Sequence, residues 1–469
     1  MEFVGRIQEL HLLRRELKRI KPAESRPGRC LLLQGRRRIG KSALVEKFID
    51  DSGLPSMFFT AARLDANVEL ERLTDAIAES SLPHRSVFAE TAPSAWHGAL
   101  RLLADTVPDD KPSVLVLDEV PYLMDKVDGF EGSLQAAWDR YLSRKPVLLL
   151  LIGSDLSMME TLNAYDRPFH QRGTEMVLGP LNPAELSTML GLAPAEAFDA
   201  ALVTGGLPLI AAEWAHGAPM WDFLAEALAN PTSALLVSAE RTIAAEFPAE
   251  ARADSVIEAV AGGERTFSNI ARAAGNIAHP TLNRALNVLV AKGIVTSALP
   301  LSTRPSRERR YWVTDPYLRF WLRFLKPAMP EIERLRGDLT LANVRRGWSS
   351  WRGRAVEPLI RAALARLLPD SQLPAARAIG GYWTRGNDVG IDIVGGDREP
   401  IAKELLFIGS IKWLDNAAFD DHDFAALRRH GDHLTSKRLP LVAASRAGIS
   451  AAGVDAEYGP DDLIAGWSG

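Results

Sequence analysis

The sequence predicts an α/β protein built around a parallel sheet, and three observations carry that prediction. First, four apolar runs recur in order: CLLLQG (30–35), SMFFTA (56–61), SVLVLDEV (113–120) and PVLLLLIGSD (146–155), with helical stretches between them. Runs without polar alternation are strands buried on both faces, as in a parallel sheet covered by helices. Second, the first run breaks into a glycine-bounded loop, Gly35 to Ser42, before turning amphipathic. Third, the third run ends in two acids, Asp118 and Glu119. A chain of 469 residues exceeds one core, so roughly three domains are expected.

Hydrophobic content of 47% and charged content of 24% are ordinary for globular protein. A formal charge of −4 is small, so contact with nucleic acid must come from a local patch. The single cysteine, Cys30, excludes an internal disulfide and suits a reducing cytosol. The stretch MEFVGRIQELHLL has no signal-peptide core, and the longest apolar runs fall far short of the ~20 residues that span a bilayer. A soluble, cytoplasmic, multidomain protein with no membrane partner is expected. The nine histidines are scattered singly, without metal-ligand spacing.

The loop reads Gly35-Arg36-Arg37-Arg38-Ile39-Gly40-Lys41-Ser42, followed by Ala43 at the start of a helix. Glycines let backbone N–H groups curl round a β-phosphate, Lys41 reaches the β- and γ-phosphates, and Ser42 can ligate Mg²⁺. Asp118, at the end of a neighbouring strand, can hold the Mg²⁺ hydration shell, and Glu119 can orient or deprotonate the attacking water. The Asp-Glu pair, with no Asn-Lys-x-Asp motif in the chain, favours ATP over GTP. ATP and Mg²⁺ are thus the expected cofactors. Ser154, in Gly153-Ser154-Asp155, is either a γ-phosphate sensor or a polar strand end leading into a turn. Arg167 and Arg172 lie where an arginine finger would emerge; Arg172 is the preferred candidate, the alternative being an ordinary surface arginine.

Phe3-Val4-Gly5-Arg6 with Glu9-Leu10, the loop itself, Leu117-Asp118-Glu119, Gly153-Ser154 and Thr204-Gly205-Gly206-Leu207-Pro208 together resemble the archaeal-type AAA-like P-loop ATPases, relatives of the STAND class. The resemblance covers residues 1 to about 330 and continues more weakly to the end. It implies that Val4, Gly5 and Arg6 lie near the adenine and that Gly206 and Pro208 belong to a helical lid closing on ATP or ADP. Read from its residues alone, Gly205 to Pro208 is a helix-ending turn. The ATPase domain is assigned to 1–175. The lid is assigned to 176–235, where PAELSTMLGL, PAEAFDAALV and WDFLAEAL carry apolar residues at helical spacing.

Residues 236–330 read as a winged helix-turn-helix: a first helix around DSVIEAVA, a second at Phe267–Ala273, a third at Pro280–Ala291, then GIVTSALP, a basic loop and RRYWVTD. The loop STRPSRERR carries Arg304, Arg307, Arg309 and Arg310 against a single Glu308, a patch that would contact phosphates in a salt-dependent way. Thr281, Asn283 and Arg284 are candidates for a double-stranded DNA-facing side of the third helix. The alternative is a structural module with a solvated loop. In YWVTDPYLRFWLRFLKP, aromatics could stack on bases, but the spacing of Trp312, Tyr317, Phe320, Trp321 and Phe324 fits a buried helix face better.

Residues 331–469 begin helically, with Glu357 inside an amphipathic stretch, followed by two strand-like runs carrying Asp392 and Lys412. Trp351-Arg352-Gly353 through Val356-Glu357, and Gly409-x-x-Lys412-Trp413, resemble the PD-(D/E)xK restriction-endonuclease-like domain. That chemistry needs a second acid two residues before the lysine, on the same face of the strand, to share Mg²⁺. Here that position is Ser410, a poor Mg²⁺ ligand, so the site reads as degenerate. Asp415, Asp420 and Asp421 are nearby substitutes in sequence, whereas Glu404 is eight residues away, about 27 Å along a strand.

The sequence supports a protein that hydrolyses ATP and couples nucleotide state to DNA binding through the winged helix and an inactive nuclease-like domain. The alternative is a slow STAND-like ATP/ADP switch regulating a protein partner. A third reading, an ATP-dependent nuclease, is opposed by Ser410. A finger acting in trans would require nucleotide-dependent self-association.

Overall fold

In the computed structural model, residues 3–91, 93–239, 253–263 and 265–467 are described. The stretch 240–252, within the segment read as a winged helix-turn-helix, lies outside them. The chain divides into two compact units, Met1–Pro180 and Leu181–Gly469.

In the first unit the four apolar runs form strands β1 (Arg29–Gln34), β2 (Ser56–Thr60), β3 (Ser113–Asp118) and β4 (Val147–Gly153). A fifth, β5 (Thr174–Val177), completes a parallel sheet of order β2-β3-β4-β1-β5. β5 escapes the hydrophobic pattern because it is an edge strand with only Met176 buried. β3 and β4 are buried along their whole length, which is why they read as unbroken apolar runs. Leu115, Leu117, Leu149 and Leu151 pack into a shared core with Leu103, Trp96 and Phe130, the last two rings meeting edge to face at 5.3 Å. Each fully buried leucine contributes roughly 1.5–3 kcal/mol. The register sets Gln34 of β1 beside Gly153 of β4, and Leu117 of β3 beside Leu151 of β4. The carboxyl ends of β1, β3 and β4 therefore form one edge, the place where open parallel sheets bind ligands.

The second unit opens with helices Pro183–Leu190, Pro194–Thr204, Pro208–Ala211 and Met220–Ala229. Asn182 and Glu185 cap the first reciprocally. At Gly206, φ is +68° and a Cβ would fall 2.1 Å from the Leu181 carbonyl, so the Gly-Gly-Leu-Pro turn owes its second glycine to that contact.

Three helices follow, Ala253–Ala261, Phe267–Ala273 and His279–Ala291, then an antiparallel pair, β6 (Val295–Ala298) and β7 (Arg310–Val313). Beyond them, Pro316–Phe320 runs into a π-helical turn at Trp321–Leu325. Tyr317, Phe320, Trp321 and Phe324 are buried, as their spacing predicts, and Trp312 is half-buried. The Tyr317 hydroxyl donates to the Leu235 carbonyl at 2.7 Å, and the Trp321 indole donates to that of Leu236 at 3.1 Å.

Helices Gly337–Ala355 and Glu357–Leu367 lead to a second sheet: β8 (Ala378–Trp383), β9 (Gly390–Gly396), β10 (Leu405–Lys412), β11 (Leu441–Ser445) and β12 (Ala456–Tyr458). Its order is β12-β11-β10-β9-β8, antiparallel from β8 to β10 and parallel from β10 to β12. The strand-like run carrying Asp392 is thus a hairpin, β8 and β9. The loop after β6 is sewn to this sheet: Leu301 N–H donates to Gly381 at 2.9 Å, Ala402 N–H donates to Ser302 at 2.9 Å, and the Trp383 indole donates to the Glu308 carbonyl at 2.7 Å.

Arg352, on helix Gly337–Ala355, is 1% exposed and contacts Asp199 at 3.2 Å, Asp415 at 2.9 Å and the Trp413 carbonyl at 3.3 Å. Arg446 meets the same carboxylates at 2.9 and 2.7 Å and donates to the Ala195 carbonyl at 2.6 Å. Burial pushes the Asp199 carboxyl up to about 6, against the pull of Arg446 and Arg352. Arg352→Met strands Asp199 with one partner and is expected to destabilise this unit by roughly 3–5 kcal/mol, read from its urea unfolding midpoint.

No single helix among the described residues is long and apolar enough to cross a membrane.

Candidate functional site

The loop between β1 and helix Lys41–Ser52 is shaped by its backbone. A Cβ at Gly35 would lie 2.7 Å from the Leu178 carbonyl, and Arg38 and Gly40 hold φ of +63° and +90°, turning the chain into the helix. Lys41 is buried, and its ammonium donates inward to the carbonyls of Gly35 at 2.7 Å and Arg36 at 3.0 Å. Burial lowers its pKa, while Glu119 and Asp118 pull the other way.

Three strand ends converge beside it. The Ser42 hydroxyl donates to Asp118 Oδ2 at 2.8 Å, and the Asp118 Oδ1 accepts the Glu119 N–H at 2.8 Å. Asp118 is 3% exposed, and burial raises its pKa against the Ser42 hydrogen bond. Glu119 adopts φ +55°, a left-handed conformation costing of order 1–3 kcal/mol in a non-glycine residue, as it caps helix Val120–Lys126. Its carboxylate accepts from the Ser154 hydroxyl, whose oxygen lies 2.8 and 3.0 Å from the two carboxylate oxygens. Arg37 reaches Ser154 at 3.4 Å and also bonds the Tyr122 hydroxyl. Tyr122 is missing from the sequence reading because nothing in its local pattern marks it.

The Val4-Gly5-Arg6 segment also meets this loop. Arg6 is buried at φ +60°, donates to the Ile39 carbonyl at 3.0 Å and pairs with Glu9 at 3.3 Å. Val4 is half-buried, whereas Arg37, Arg38 and Ala43 are exposed. Gly206 and Pro208 belong to the second unit, where Gly206 packs on Leu181 and Pro208 begins a helix. Arg172 is held within the first unit by a two-pronged bond to Asp139, 2.9 Å on each side, and donates to the Pro168 and His170 carbonyls. Arg167 is bonded to Glu131.

In the second unit, Thr281, Asn283 and Arg284 are exposed on helix His279–Ala291, with Leu282, Leu286 and Leu289 facing the core. Arg304, Arg307 and Arg309 are exposed on the loop between β6 and β7, and Arg309 donates to Ser297 at 2.8 Å. Arg310 departs from the expected free patch. It is half-buried, lies 4.6 Å over the Trp383 ring and bonds Asn387.

The C-terminal carboxylates come together, but each has a partner. Glu357 pairs with Arg361 at 3.0 Å, and Arg361 also donates to the Asp392 carbonyl at 2.7 Å. Asp392 Oδ2 accepts from the Ser410 hydroxyl at 3.0 Å and the Ile411 N–H at 2.9 Å, and burial next to Glu357 raises its pKa. Lys412 pairs with Asp423 at 2.8 Å, a residue absent from the sequence reading because it lies on a separate helix, Asp421–Leu434. Of the substitutes considered, Asp415 is committed to Arg352 and Arg446, Asp420 caps that helix, and Asp421 accepts from the Ala452 N–H.

The family described as archaea bacterial proteins of unknown function matches residues 321–423. Over 420 residues the chain is 23% identical to an uncharacterized protein of Methanocaldococcus jannaschii, covering 88% of each. A Walker-type ATPase of Pyrococcus abyssi is similar at 19% identity and TM-score 0.48, over 68% of this chain and 96% of that one. The Aeropyrum pernix ORC2 protein, in ADPNP–ADP complexes, is similar at 13% identity and TM-score 0.43, over 74% and 96%. Likenesses of that size carry no weight by themselves. The chain's own geometry defines a mixed α/β protein whose parallel sheet resembles the P-loop ATPase fold, with a separate C-terminal sheet.

Lys41→Ala leaves the Gly35 and Arg36 carbonyls without their donor and is expected to weaken binding of a phosphate-bearing ligand at this loop at least about tenfold, a loss of roughly 1.4 kcal/mol, read by titration calorimetry with ATP as the probe. Gly35→Ala should do the same by pushing on the Leu178 carbonyl.

Proposed function

We propose that this chain binds and hydrolyses ATP at the loop spanning residues 35–42 and couples its nucleotide state to nucleic-acid contact through the second unit. The observation that carries this reading is the Ser42–Asp118 hydrogen bond of 2.8 Å beside a Glu119 whose carboxylate is held by Ser154. A hydroxyl and a buried carboxylate, both hard oxygen donors, suit a hydrated Mg²⁺. When bound, Mg²⁺ neutralises charge on the β- and γ-oxygens. Backbone N–H groups of the loop bind phosphate oxygens, and the Lys41 ammonium turns from the Gly35 and Arg36 carbonyls toward them. Glu119 orients the attacking water and accepts its proton, while Ser154 fixes the direction of that carboxylate. Val4, Gly5 and Arg6 border the base, and Arg172 serves as a finger only once released from Asp139; acting in trans, it would require self-association.

In this proposal the chain comprises an ATPase domain over 1–175, a lid over 176–235, a winged helix over 236–330 and a nuclease-like domain over 331–469. Two charge pairings and one substitution support a non-cleaving tail. Arg361 neutralises Glu357, Ser410 occupies the position of the second acid, and Lys412 is tied to Asp423. The second reading, a slow ATP/ADP switch acting on a protein partner, is favoured by the loop after β6, which is bonded to the C-terminal sheet instead of standing free.

ATP turnover measured with and without duplex DNA separates the two readings: stimulation supports DNA coupling, and slow turnover indifferent to DNA supports the switch. Glu119→Gln should retain ATP and lose hydrolysis by about 10²–10⁴-fold; wild-type turnover in that variant removes the proposed role of Glu119. Reversing Arg304, Arg307 and Arg309 to glutamate should weaken DNA binding and shrink its log–log salt slope by roughly 3. An unchanged affinity and slope would rule out this loop as the DNA contact.

A further inference from the structure

Four arginines outside the sites above line one cavity of about 290 Å³ in the second unit. Their positions follow from helical spacing. Arg319 and Arg323 are four residues apart on the segment Pro316–Leu325, and Ser350, Trp351 and Arg354 share one face of helix Gly337–Ala355. Arg265 enters just beyond the Gly262–Gly263 turn that ends helix Ala253–Ala261.

Guanidinium groups of like charge around a small space repel one another, and partial burial strengthens that repulsion. Among the described residues none of the four has an ion pair. Arg319 instead lies 5.9 Å over the Trp351 ring and Arg323 5.2 Å over Phe324. The Glu357 carboxylate, whose field reaches Arg265 and Arg319, is already bonded to Arg361 at 3.0 Å. Desolvation, with Arg265 adding repulsion, pulls the Arg319 guanidinium down to about 10, and desolvation lowers that of Arg265 as well. The wall therefore offers guanidinium donors and the Ser350 hydroxyl, with no carboxylate among the described lining residues.

We propose that this cavity binds a compact phosphate-bearing anion, clamped between the end of helix Ala253–Ala261 and the face of helix Gly337–Ala355. Arginine forks match phosphate oxygens two at a time, and multiple charges on the anion would offset the repulsion among the four. The volume lies at the lower edge of small-molecule pockets, the size for a pyrophosphate-like group and far too small for duplex DNA. Such a group reaches the cavity either as a free anion or as the terminal phosphate of a nucleic-acid strand.

The test uses the full chain carrying Lys41→Ala, which disables the nucleotide loop, titrated calorimetrically with sodium pyrophosphate. One site is expected, weakening as salt rises. Arg323 and Arg354 are exposed, so Arg323→Gln and Arg354→Gln should fold normally and each lower the affinity at least tenfold, whereas Arg429→Gln, on a helix that does not line the cavity, should leave it unchanged. Absence of binding, or unchanged affinity in both cavity variants, overturns the proposal. Competition by a short 5′-phosphorylated single strand, but not by its 5′-hydroxyl form, assigns the phosphate to a strand end. Binding of pyrophosphate without such competition assigns a free anion.

Discussion

The buried guanidinium of Arg352 is the interaction on which the second unit depends. A lone charge at 1% exposure would cost several kcal/mol, so it persists only because Asp199, Asp415 and the Trp413 carbonyl surround it. Those partners come from helix Pro194–Thr204 near the start of the unit and from the segment that follows β10, the central strand of the C-terminal sheet. The same junction carries apolar contact, with Phe198 meeting Trp413 edge to face at 5.3 Å. Segments more than 200 residues apart, Asp199 and Arg446, are thereby fixed in one arrangement. The cavity of arginines exists because helix Gly337–Ala355 is held at this junction at one end and presents Trp351 and Arg354 beside it.

In the first unit the governing constraint is the sheet order. Placing β1 and β3 on either side of β4 brings Ser42, Asp118, Glu119 and Ser154 within hydrogen-bonding reach, although they are far apart in the chain. Hydrogen bonds then pass in sequence from Ser42 to Asp118, through the Glu119 backbone, and on from its carboxylate to Ser154 and Arg37. The left-handed backbone at Glu119 is the point where the line bends.

What the sequence made legible was what a local pattern can encode. β1 to β4 are buried on both faces and read as apolar runs, and the loop glycines and strand-end acids are contiguous motifs. The buried aromatic helix face after β7 was likewise visible from spacing. β5 was not, because a single buried methionine makes no pattern. Pairings were also hidden: Lys412 with Asp423, Arg172 with Asp139 and Arg310 over Trp383 each join residues whose neighbourhood is set only by the tertiary fold. The arginine cavity is the extreme case, since its lining comes from separate stretches that only the tertiary fold brings together.

The loop after β6 has a mechanical meaning. It is bonded to β8 through Leu301 and Glu308, and to the turn before β10 through Ser302. The segment that follows helix His279–Ala291 and β6 therefore cannot draw away from the C-terminal sheet without breaking those hydrogen bonds.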